Sequence, residues 1–453
     1  MVDLRATSRA LSGRRRRRYR LRGEGQLRAP QAARQGFAAF HSEPSAPVTL
    51  AFRRSRAHLQ GRRFLIVTAP FGGFGVALAR ALEGRGATVS RMIFNAGDWL
   101  NWRRPGGVVF KAAPEAWAAE IQARLEPFTD VILFGEGGPY NRAVLSAADA
   151  LKARVWVLEN GYFRPDWVTV ERNGVNASSG LPRFRDADPA PAPALPLVRP
   201  VGKILPHHVA NISLYHLAQG LGAVLFPRQV IHYTASPLRQ CAGHVRRYLG
   251  LAFRTRAECD ADVIAARGPF FIACLQREGD AQLLRYSRYA DNTAFLAALL
   301  TSFAAHAPGD ARLVVKNHPL DPGLVDLAAA TRRLAQERGL AGRVDFIDGG
   351  NLARLCRLSL GMVVNNSSAA LSALGFQTPV KVLGDAFFDF GGLTDQQALD
   401  DFWANPQAPD PALFGRFRAH VIAQTQVNGN FHEPRAMAST ARGVAEMFER
   451  LSD

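Results

Sequence analysis

Two groups of small polar and basic residues in this sequence could together bind a phosphate. Residues 363–383 (VVNNSSAALSALGFQTPVKVL) are typical of a buried strand, a polar turn, a helix and a second buried strand. The first backbone N–H groups of a helix have no partner within it, and side chains there either cap the helix or hold an anion. A second hydrophobic stretch ends in Lys316, His318 and Pro319. Because nucleotides bind at the carboxyl edge of parallel sheets, we expect both groups to meet there around a nucleotide phosphate.

A carboxylate follows a hydrophobic stretch in the first half of the chain. Residues 154–158 are predicted to form a strand, and Glu159 comes directly after it, at the start of the sequence ENGYFRPDW. At the carboxyl edge of a sheet, Glu159 could act as an acid or base, or it could be an ordinary solvated carboxylate. The residues alone leave both alternatives open.

Alternating strand and helix patterns position these residues. In the first half, strands are predicted at 64–68, 88–94, 130–134 and 154–158, and helices at 76–82 and 141–151. In the second half, strands are predicted at 269–276, 312–316, 344–347 and 360–364, and helices at 292–306, 324–338 and 352–357. The loop with Gly72, Gly73 and Gly75 lacks the spacing of a dinucleotide site and is interpreted as a tight turn. The pattern predicts an α/β protein with two Rossmann-like domains facing across a cleft.

Five regions are expected along the chain. They are a basic, disordered tail (1–62), a first Rossmann-like domain (63–185), a linker with a helical insert (186–262), a second Rossmann-like domain (263–400) and C-terminal helices (401–453). The insert begins with a Pro/Ala-rich stretch at 186–200, and its helices could serve as a lid, an acceptor-binding arm or a membrane-facing surface. The helices of 411–451 are expected to pack back across the N-terminal half.

The basic character of the chain is concentrated in the tail. The formal net charge is +18, but residues 1–63 hold 16 Arg against Asp3, Glu24 and Glu43, or +13, which leaves +5 for the other 390 residues. A nucleic-acid-binding face is therefore not indicated. The tail could be a solvated extension, could attract anionic lipid or nucleic acid, or could precede the true start of the protein. The four scattered cysteines fit a reducing cytoplasm, and no apolar run is long enough to span a membrane.

Five longer stretches resemble the capsule polysaccharide biosynthesis/export proteins of the KpsS/LipB type. They are ENGYFRPDWVTVERNGVNASSGLPR (159–183), LQREGDAQLLRYSRY (275–289), VVKNHPLDPG (314–323), VNNSSAALSALGFQTPVKVLGDAFFDFGGLT (364–394) and FWANPQAPDPALFGRFRAHVIAQTQVNG (402–429). Within them, ENG at 159–161, HP at 318–319 and SS at 367–368 resemble the motifs of bacterial transferases that use CMP-activated acidic sugars. The likeness runs from about Phe64 to Gly429.

The resemblance implies a GT-B-like β-Kdo glycosyltransferase. Such an enzyme moves 3-deoxy-D-manno-oct-2-ulosonic acid (Kdo) from CMP-Kdo to a lyso-phosphatidylglycerol anchor, at the cytoplasmic face of the inner membrane, and so primes the poly-Kdo linker of a capsule. It would use CMP-Kdo and an anionic lysophospholipid, contact other capsule assembly and export proteins, and bind no nucleic acid. No metal or other cofactor is expected, because CMP is a phosphate leaving group and no Asp-x-Asp pair ends a predicted strand of the second half.

The family's Q-x-x-x-D-x-Q pattern assigns roles to individual residues. It falls on Gln276, Asp280 and Gln282, and retention of configuration requires a carboxylate nucleophile, the role implied for Asp280. Without the resemblance, Asp280 is equally well explained as a residue that caps a helix or forms a turn. Glu159 would be the acid/base, and His318 would stabilise the departing charge. The implied donor-binding residues are Gln276, Gln282, Lys316, Pro319, Asn366, Ser367 and Ser368, and those on the acceptor side, in the first domain, are Arg164, Asp166 and Asn176.

Three departures from the family's pattern fall in the acceptor half or the insert. Asn160 stands where a second acidic residue is common, Glu136–Asn141 stands where Asp-x-Arg-Pro-x-His is usual, and 231–233 lacks a His-His pair. The donor is therefore better defined than the acceptor. Alternatives are a CDP-glycerol or CDP-ribitol phosphotransferase of the same fold, a nucleotide-sugar epimerase, and a non-enzymatic accessory protein of polysaccharide export.

Overall fold

The computed structural model describes residues 59–181, 193–230, 237–252 and 256–452. The predicted tail up to residue 58, residues 186–192 of the Pro/Ala-rich stretch and the departure at 231–233 lie outside the described residues. None of the described helices is long and apolar enough to cross a membrane.

The strands of the described residues form two sheets. They are β1 (Arg63–Ile66), β2 (Thr88–Ile93), β3 (Gly107–Val109), β4 (Asp130–Phe134), β5 (Arg154–Asn160), β6 (Trp167–Arg172), β7 (Phe270–Cys274), β8 (Arg312–Lys316), β9 (Val344–Ile347), β10 (Gly361–Val364), β11 (Val380–Val382) and β12 (Gln426–Asn428). The first sheet has the order β12-β6-β5-β4-β1-β2-β3 and the second the order β11-β10-β7-β8-β9. The predicted α/β architecture, GT-B-like with two Rossmann-like domains, is confirmed.

Helices cover both faces of the sheets. They are α1 (Phe74–Glu83), α2 (Ala96–Trp102), α3 (Pro114–Ala119), α4 (Ile121–Leu125), α5 (Gly138–Ala147), α6 (Ile204–Leu221), α7 (Pro237–Ala252), α8 (Ala261–Ala265), α9 (Ala281–Arg285), α10 (Asn292–His306), α11 (Leu327–Glu337), α12 (Leu352–Leu358), α13 (Ala369–Leu374), α14 (Leu399–Phe402), α15 (Pro411–Thr425) and α16 (Pro434–Arg450). Because both faces are covered, central strands such as β7, with the sequence FFIAC, are buried at every residue.

The second sheet is parallel throughout, whereas the first is mixed. Strands β1 to β5 pair in parallel, but β6 runs antiparallel to β5 and β12 antiparallel to β6. The prediction of a parallel first sheet is therefore wrong at this edge. The missed β12 also interrupts the helical run predicted for 411–451, and it carries the chain from the second half back onto the first sheet.

The C-terminal helix completes the core of the first domain, as predicted. Helix α16 packs against α1, and Phe448 stacks on Phe64 with ring centroids 5.7 Å apart and contacts Trp156 at 4.7 Å. The apolar face of α16 and the first sheet thus bury one another. The chain forms the first sheet up to β6, then the whole second sheet, and returns to the first sheet with β12, so it connects the two sheets twice.

The fold begins before the predicted end of the tail. Leu59 is fully buried, and the Arg62 guanidinium donates through Nε to Oδ2 of the fully buried Asp130 at 2.8 Å. Asp130 also accepts from Trp156 Nε1 at 2.8 Å. Arg62 was predicted to lie in a disordered tail, and this is wrong, because it is buried and forms an ion pair with the fully buried Asp130.

Candidate functional site

A cleft of about 620 Å³ lies where the carboxyl ends of both sheets meet. The first sheet contributes the residues that follow β4 and β5, and the second contributes those that follow β7, β8, β9 and β10. Helix α7 adds Gln240. The cleft is therefore built from strand ends, where parallel sheets bind ligands.

Nearly all the residues predicted for the site line this cleft. They are Glu159, Arg164, Asn176, Gln276, Asp280, Gln282, Lys316, His318, Pro319, Asn366, Ser367 and Ser368. Asp166 is not among the lining residues. Its carboxylate accepts from the Val201 backbone at 2.9 Å, and its carbonyl accepts from the Gly429 backbone at 2.9 Å. Asp166 thus joins three chain segments and is not brought to the cleft.

Glu159 at the end of β5 has a carboxyl pKa above its ordinary value. Burial raises the pKa of this carboxyl, the Asn160 backbone N–H and Arg164 oppose the rise, and Asp280 and Glu136 add to it. Its Oε1 accepts from the Asn160 backbone at 2.9 Å. Next to it, Gly135 has a φ of +67°, and a Cβ there would lie 3.2 Å from Glu159 Oε2. A carboxyl with a raised pKa in a cleft is a candidate for giving and taking a proton during a reaction.

Asp280 has a structural role as well as a position in the cleft. Its Oδ1 accepts from the Gln282 backbone at 2.8 Å and so caps the N-terminus of α9. Oδ2 has no hydrogen-bond partner among the described residues. Burial raises the pKa of Asp280, while the Gln282 backbone N–H, Arg277 and Arg164 oppose the rise. Asp280 is therefore both a helix cap and a cleft carboxylate, the two alternatives that the sequence left open.

Gln276 holds two strand ends together. Its Nε2 donates to Asn366 Oδ1 at 2.7 Å, and its Oε1 accepts from Asn365 Nδ2 at 3.1 Å. Asn366 in turn donates to the carbonyls of Gln282 and Tyr286. This amide network fixes the ends of β7 and β10 and the helix α9 that carries Asp280. Gln276 therefore acts on the site by positioning its neighbours.

His318 is a neutral hydrogen-bond donor in this cleft. Burial lowers its pKa to about 3, and the charges of Arg164, Arg277, Lys316 and Arg247 contribute. Its Nδ1 accepts from the Leu320 backbone at 3.1 Å, so the ring proton resides on Nε2. We expected His318 to be one of two basic groups beside a phosphate, but in the structure its ring is neutral. The positive charge comes from Lys316 and from arginines.

The helix that follows Ser367 and Ser368 is short. Helix α13 has six residues, so its dipole is small, and Ser368 at its N-cap makes no side-chain capping bond. The Ser367 hydroxyl accepts from the Ala369 backbone at 3.3 Å. One hydroxyl thus caps the helix weakly, and the other remains available to a ligand.

Two cleft residues with strong effects were missed. Arg277 follows Gln276 directly and acts electrostatically on His318 and Asp280. Glu136 is buried, its Oε1 accepts from the Val175 backbone at 2.7 Å, and its Oε2 accepts from the Tyr286 hydroxyl at 3.0 Å. Glu136 comes soon after a strand end, as Glu159 does, and the same reasoning could have found it.

Comparisons with known proteins relate the chain to capsule polysaccharide proteins. Residues 129–432 match the profile of the family described as capsule polysaccharide biosynthesis protein. The capsule polysaccharide modification protein LipB of Neisseria meningitidis serogroup A is 33% identical over 393 residues, which cover 81% of this chain and 91% of that protein. The capsule polysaccharide export protein KpsS of Escherichia coli is 29% identical, over 83% of this chain and 98% of that protein.

A solved structure described as the β-Kdo 2,7 transferase of KpsC from Thermosulfurimonas dismutans also matches. It has a TM-score of 0.40 and 14% identity, and the match covers 86% of this chain and 99% of that chain. A likeness of this extent does not indicate what this chain acts on.

Proposed function

Because the chain belongs to the capsule polysaccharide biosynthesis protein family, we propose that it is a retaining β-Kdo glycosyltransferase that uses CMP-Kdo. The acceptor we propose is lyso-phosphatidylglycerol at the cytoplasmic face of the inner membrane, and the product primes the poly-Kdo linker of a capsule. The observation that carries the proposal is the pair Glu159 and Asp280. These carboxyls come from different sheets, line one cleft, and are near enough for Asp280 to raise the pKa of Glu159.

The donor phosphate is assigned to the strand ends of the second sheet. Lys316, His318 and Ser368 line the cleft at the carboxyl ends of β8 and β10. Each can donate to a phosphate oxygen as the bond to the sugar breaks. These groups need no metal to neutralise a leaving CMP. No cluster of three or more possible metal ligands occurs in the part of the chain that the structure describes.

Two displacements with inversion would give overall retention. In the first, the free Oδ2 of Asp280 attacks the anomeric carbon of Kdo, and CMP leaves with the bonding electrons. In the second, Glu159 takes the proton of the acceptor hydroxyl while the hydroxyl oxygen attacks the same anomeric carbon. The bond to Asp280 breaks, and its carboxylate is released. Arg277 and Arg164 favour the ionised form of Asp280 that the first step needs.

The test is mass spectrometry of the purified chain with CMP-Kdo and a short-chain lyso-phosphatidylglycerol. Asp280→Asn keeps an N-cap for α9 but removes the nucleophile. Asp291→Asn is the matched control, since Asp291 caps α10 by accepting from the Ala294 backbone at 2.8 Å and does not line the cleft. We expect the acceptor to gain one Kdo with the wild type and with Asp291→Asn, and no product with Asp280→Asn.

Other outcomes separate the rival functions. If CMP-Kdo stays intact in the presence of the acceptor, the proposed donor is refuted. If CDP-glycerol is turned over instead, the result favours a phosphotransferase. No turnover of any cytidine donor would favour an accessory role in export. Full activity of Asp280→Asn would retain the transferase but eliminate Asp280 as nucleophile.

A further inference from the structure

Helix α6 turns apolar side chains toward the solvent. Its inward side is anchored by Tyr215, whose hydroxyl accepts from Asn95 Nδ2 at 2.8 Å. On the opposite side, Leu214, Leu217 and Leu221 are 54%, 60% and 76% exposed. A surface helix ordinarily places polar residues on that side. In α6 the pattern is inverted, because the polar contacts point inward and the apolar residues point outward.

The exposed leucines belong to a continuous surface. Positions 210, 214, 217 and 221 follow the i, i+4, i+7, i+11 spacing of one helical stripe. Beyond the helix, Val224 is 85% exposed, and the half-exposed Trp99 lies beside Phe226 with ring centroids 6.4 Å apart. We name this surface the apolar face, and it consists of Leu214, Leu217, Leu221, Val224, Leu225 and Trp99.

The segment that contains α6 has no negative charge, and Asp98, which precedes Trp99, is buried. Residues 189–257 contain no Asp or Glu, and they hold eight Arg and Lys and five of the chain's 11 His. At the ends of the stripe, Lys203 and Arg228 are exposed. Exposed Lys111 lies over the Phe226 ring, 5.6 Å from its centroid. An apolar stripe rimmed by cations and by a Trp is the composition that binds the interface of an anionic membrane.

We propose that the apolar face docks on the surface of an anionic phospholipid bilayer. A second copy of the chain is a poorer occupant, because a twofold contact would bring two acid-free, basic surfaces together. The N-terminal segment is also a poorer one, because residues 1–58 hold 14 Arg against three acidic residues and are repelled by the same surface. An anionic bilayer satisfies both the apolar residues and the cations.

Docking through α6 would bring the bilayer close to the cleft. His208 on α6 lies within electrostatic range of Arg277, which lines the cleft. The same helix therefore has the cleft region near its inward side and the bilayer on its outward side. The docking itself does not depend on the proposed function. Its advantage does, since a lipid acceptor would have a short path from the membrane to the two carboxylates of the proposed transferase.

The experiment is co-sedimentation of the full chain with vesicles of phosphatidylglycerol and phosphatidylethanolamine, without CMP-Kdo. The double substitution Leu217→Asp/Leu221→Asp places charges in the stripe, and Leu217→Ser/Leu221→Ser is a milder variant. The control is Leu360→Asp, at an exposed residue that precedes β10 and so lies at the amino edge of the second sheet, opposite the cleft. Measurements at about 0.5 M salt, where the Debye length is about 4 Å, suppress binding through the Arg-rich N-terminus.

We expect the double variants to lose about tenfold or more of the vesicle partition at high salt, and the control to match the wild type. Equal partition of the double variants and the wild type would overturn the proposal. So would absence of vesicle binding by the wild type, or a dimer by mass photometry that the double substitution dissociates. Transfer of Kdo to a soluble acceptor is measured separately, so failure of docking is distinguishable from failure of the proposed reaction.

Discussion

Glu171 on β6 makes folding stability depend on pH near neutrality. The carboxylate is buried and accepts from the hydroxyls of Tyr162 and Ser179. Burial raises its pKa to about 7, although both hydroxyl hydrogen bonds oppose the rise, and the nearby charge of Glu136 adds to it. Glu171 supports Tyr162, which lines the cleft. The perturbation we choose is Glu171→Gln, which keeps an acceptor for Tyr162 and can donate to Ser179.

The size of the effect follows from the two pKa values. The carboxyl titrates near 4.5 in the unfolded chain and near 7 in the folded one. Between these values the folded state binds more protons than the unfolded state, so stability falls as pH rises through this window. At about 1.4 kcal/mol per pH unit, the loss reaches about 3 kcal/mol above pH 7 and is absent below pH 4.5. Glu171→Gln removes the titration, so its advantage over the wild type should appear only as pH rises.

The assay is urea unfolding of both proteins at pH 5 and pH 8. We expect similar free energies of unfolding at pH 5 and a variant that is more stable by about 2–3 kcal/mol at pH 8. Glu126→Gln, at an exposed residue, is the control, and its free energy of unfolding should differ from that of the wild type by the same small amount at pH 5 and pH 8. An advantage of equal size at pH 5 and pH 8 would show that ionisation of Glu171 is not the cause. A variant less stable at pH 8 would show that the carboxylate's hydrogen bonds outweigh its desolvation.

Three further predictions follow from the cleft and from Arg62. Glu159→Gln removes the proposed acid/base of the second displacement and should lower kcat, and kcat/KM for the acceptor, by about 10²–10⁴-fold in steady-state transfer while the chain stays folded. Gly135→Ala, at a φ of +67° and with its Cβ 3.2 Å from Glu159 Oε2, should reduce both stability, by about 1–3 kcal/mol, and activity, whereas Gly309→Ala, in an exposed turn away from the cleft and with open space around its Cβ, should do neither. Arg62→Ala leaves the buried Asp130 with only the more distant guanidinium of Arg154, at 3.9 Å, and should cost about 3–5 kcal/mol in thermal unfolding, against little for Arg333→Ala, whose ion pair with Glu337 is exposed.

The sequence predicted best the elements that are buried on both faces. Helix α10 and strands β4 and β8 have the predicted bounds, because each has a largely apolar, buried interior that ends at polar or turn residues. The three residues of β3 were too few to give a pattern. Strand β12 lies in a run of helical character, and only its pairing with β6 makes it extended. Such tertiary contacts override local preference, and one sequence does not reveal them.

Strand-end reasoning found the position of the site but not the state of its groups. It placed Glu159, Lys316 and His318 at the cleft, because carboxyl ends of parallel strands converge. It could not show that His318 is neutral, since that depends first on burial of the ring and then on nearby cations, among which Arg164, Arg277 and Arg247 come from other parts of the chain. Nor could it show that Gln276 is engaged by Asn365 and Asn366, which lie about ninety residues away.

The two carboxylates proposed for catalysis belong to different sheets, so their separation is set by contacts between the halves. The Tyr286 hydroxyl donates to Glu136 across this junction at 3.0 Å, and the Ala177 backbone donates to Gln282 Oε1 at 3.4 Å. Gln282 lies in the short helix α9, Tyr286 follows its last residue, and Asp280 caps its N-terminus. The same helix therefore carries the proposed nucleophile at its start and contacts the opposite half. A substrate that changes the opening of the cleft must move Asp280 relative to Glu159, which makes the contact between the halves part of the catalytic geometry.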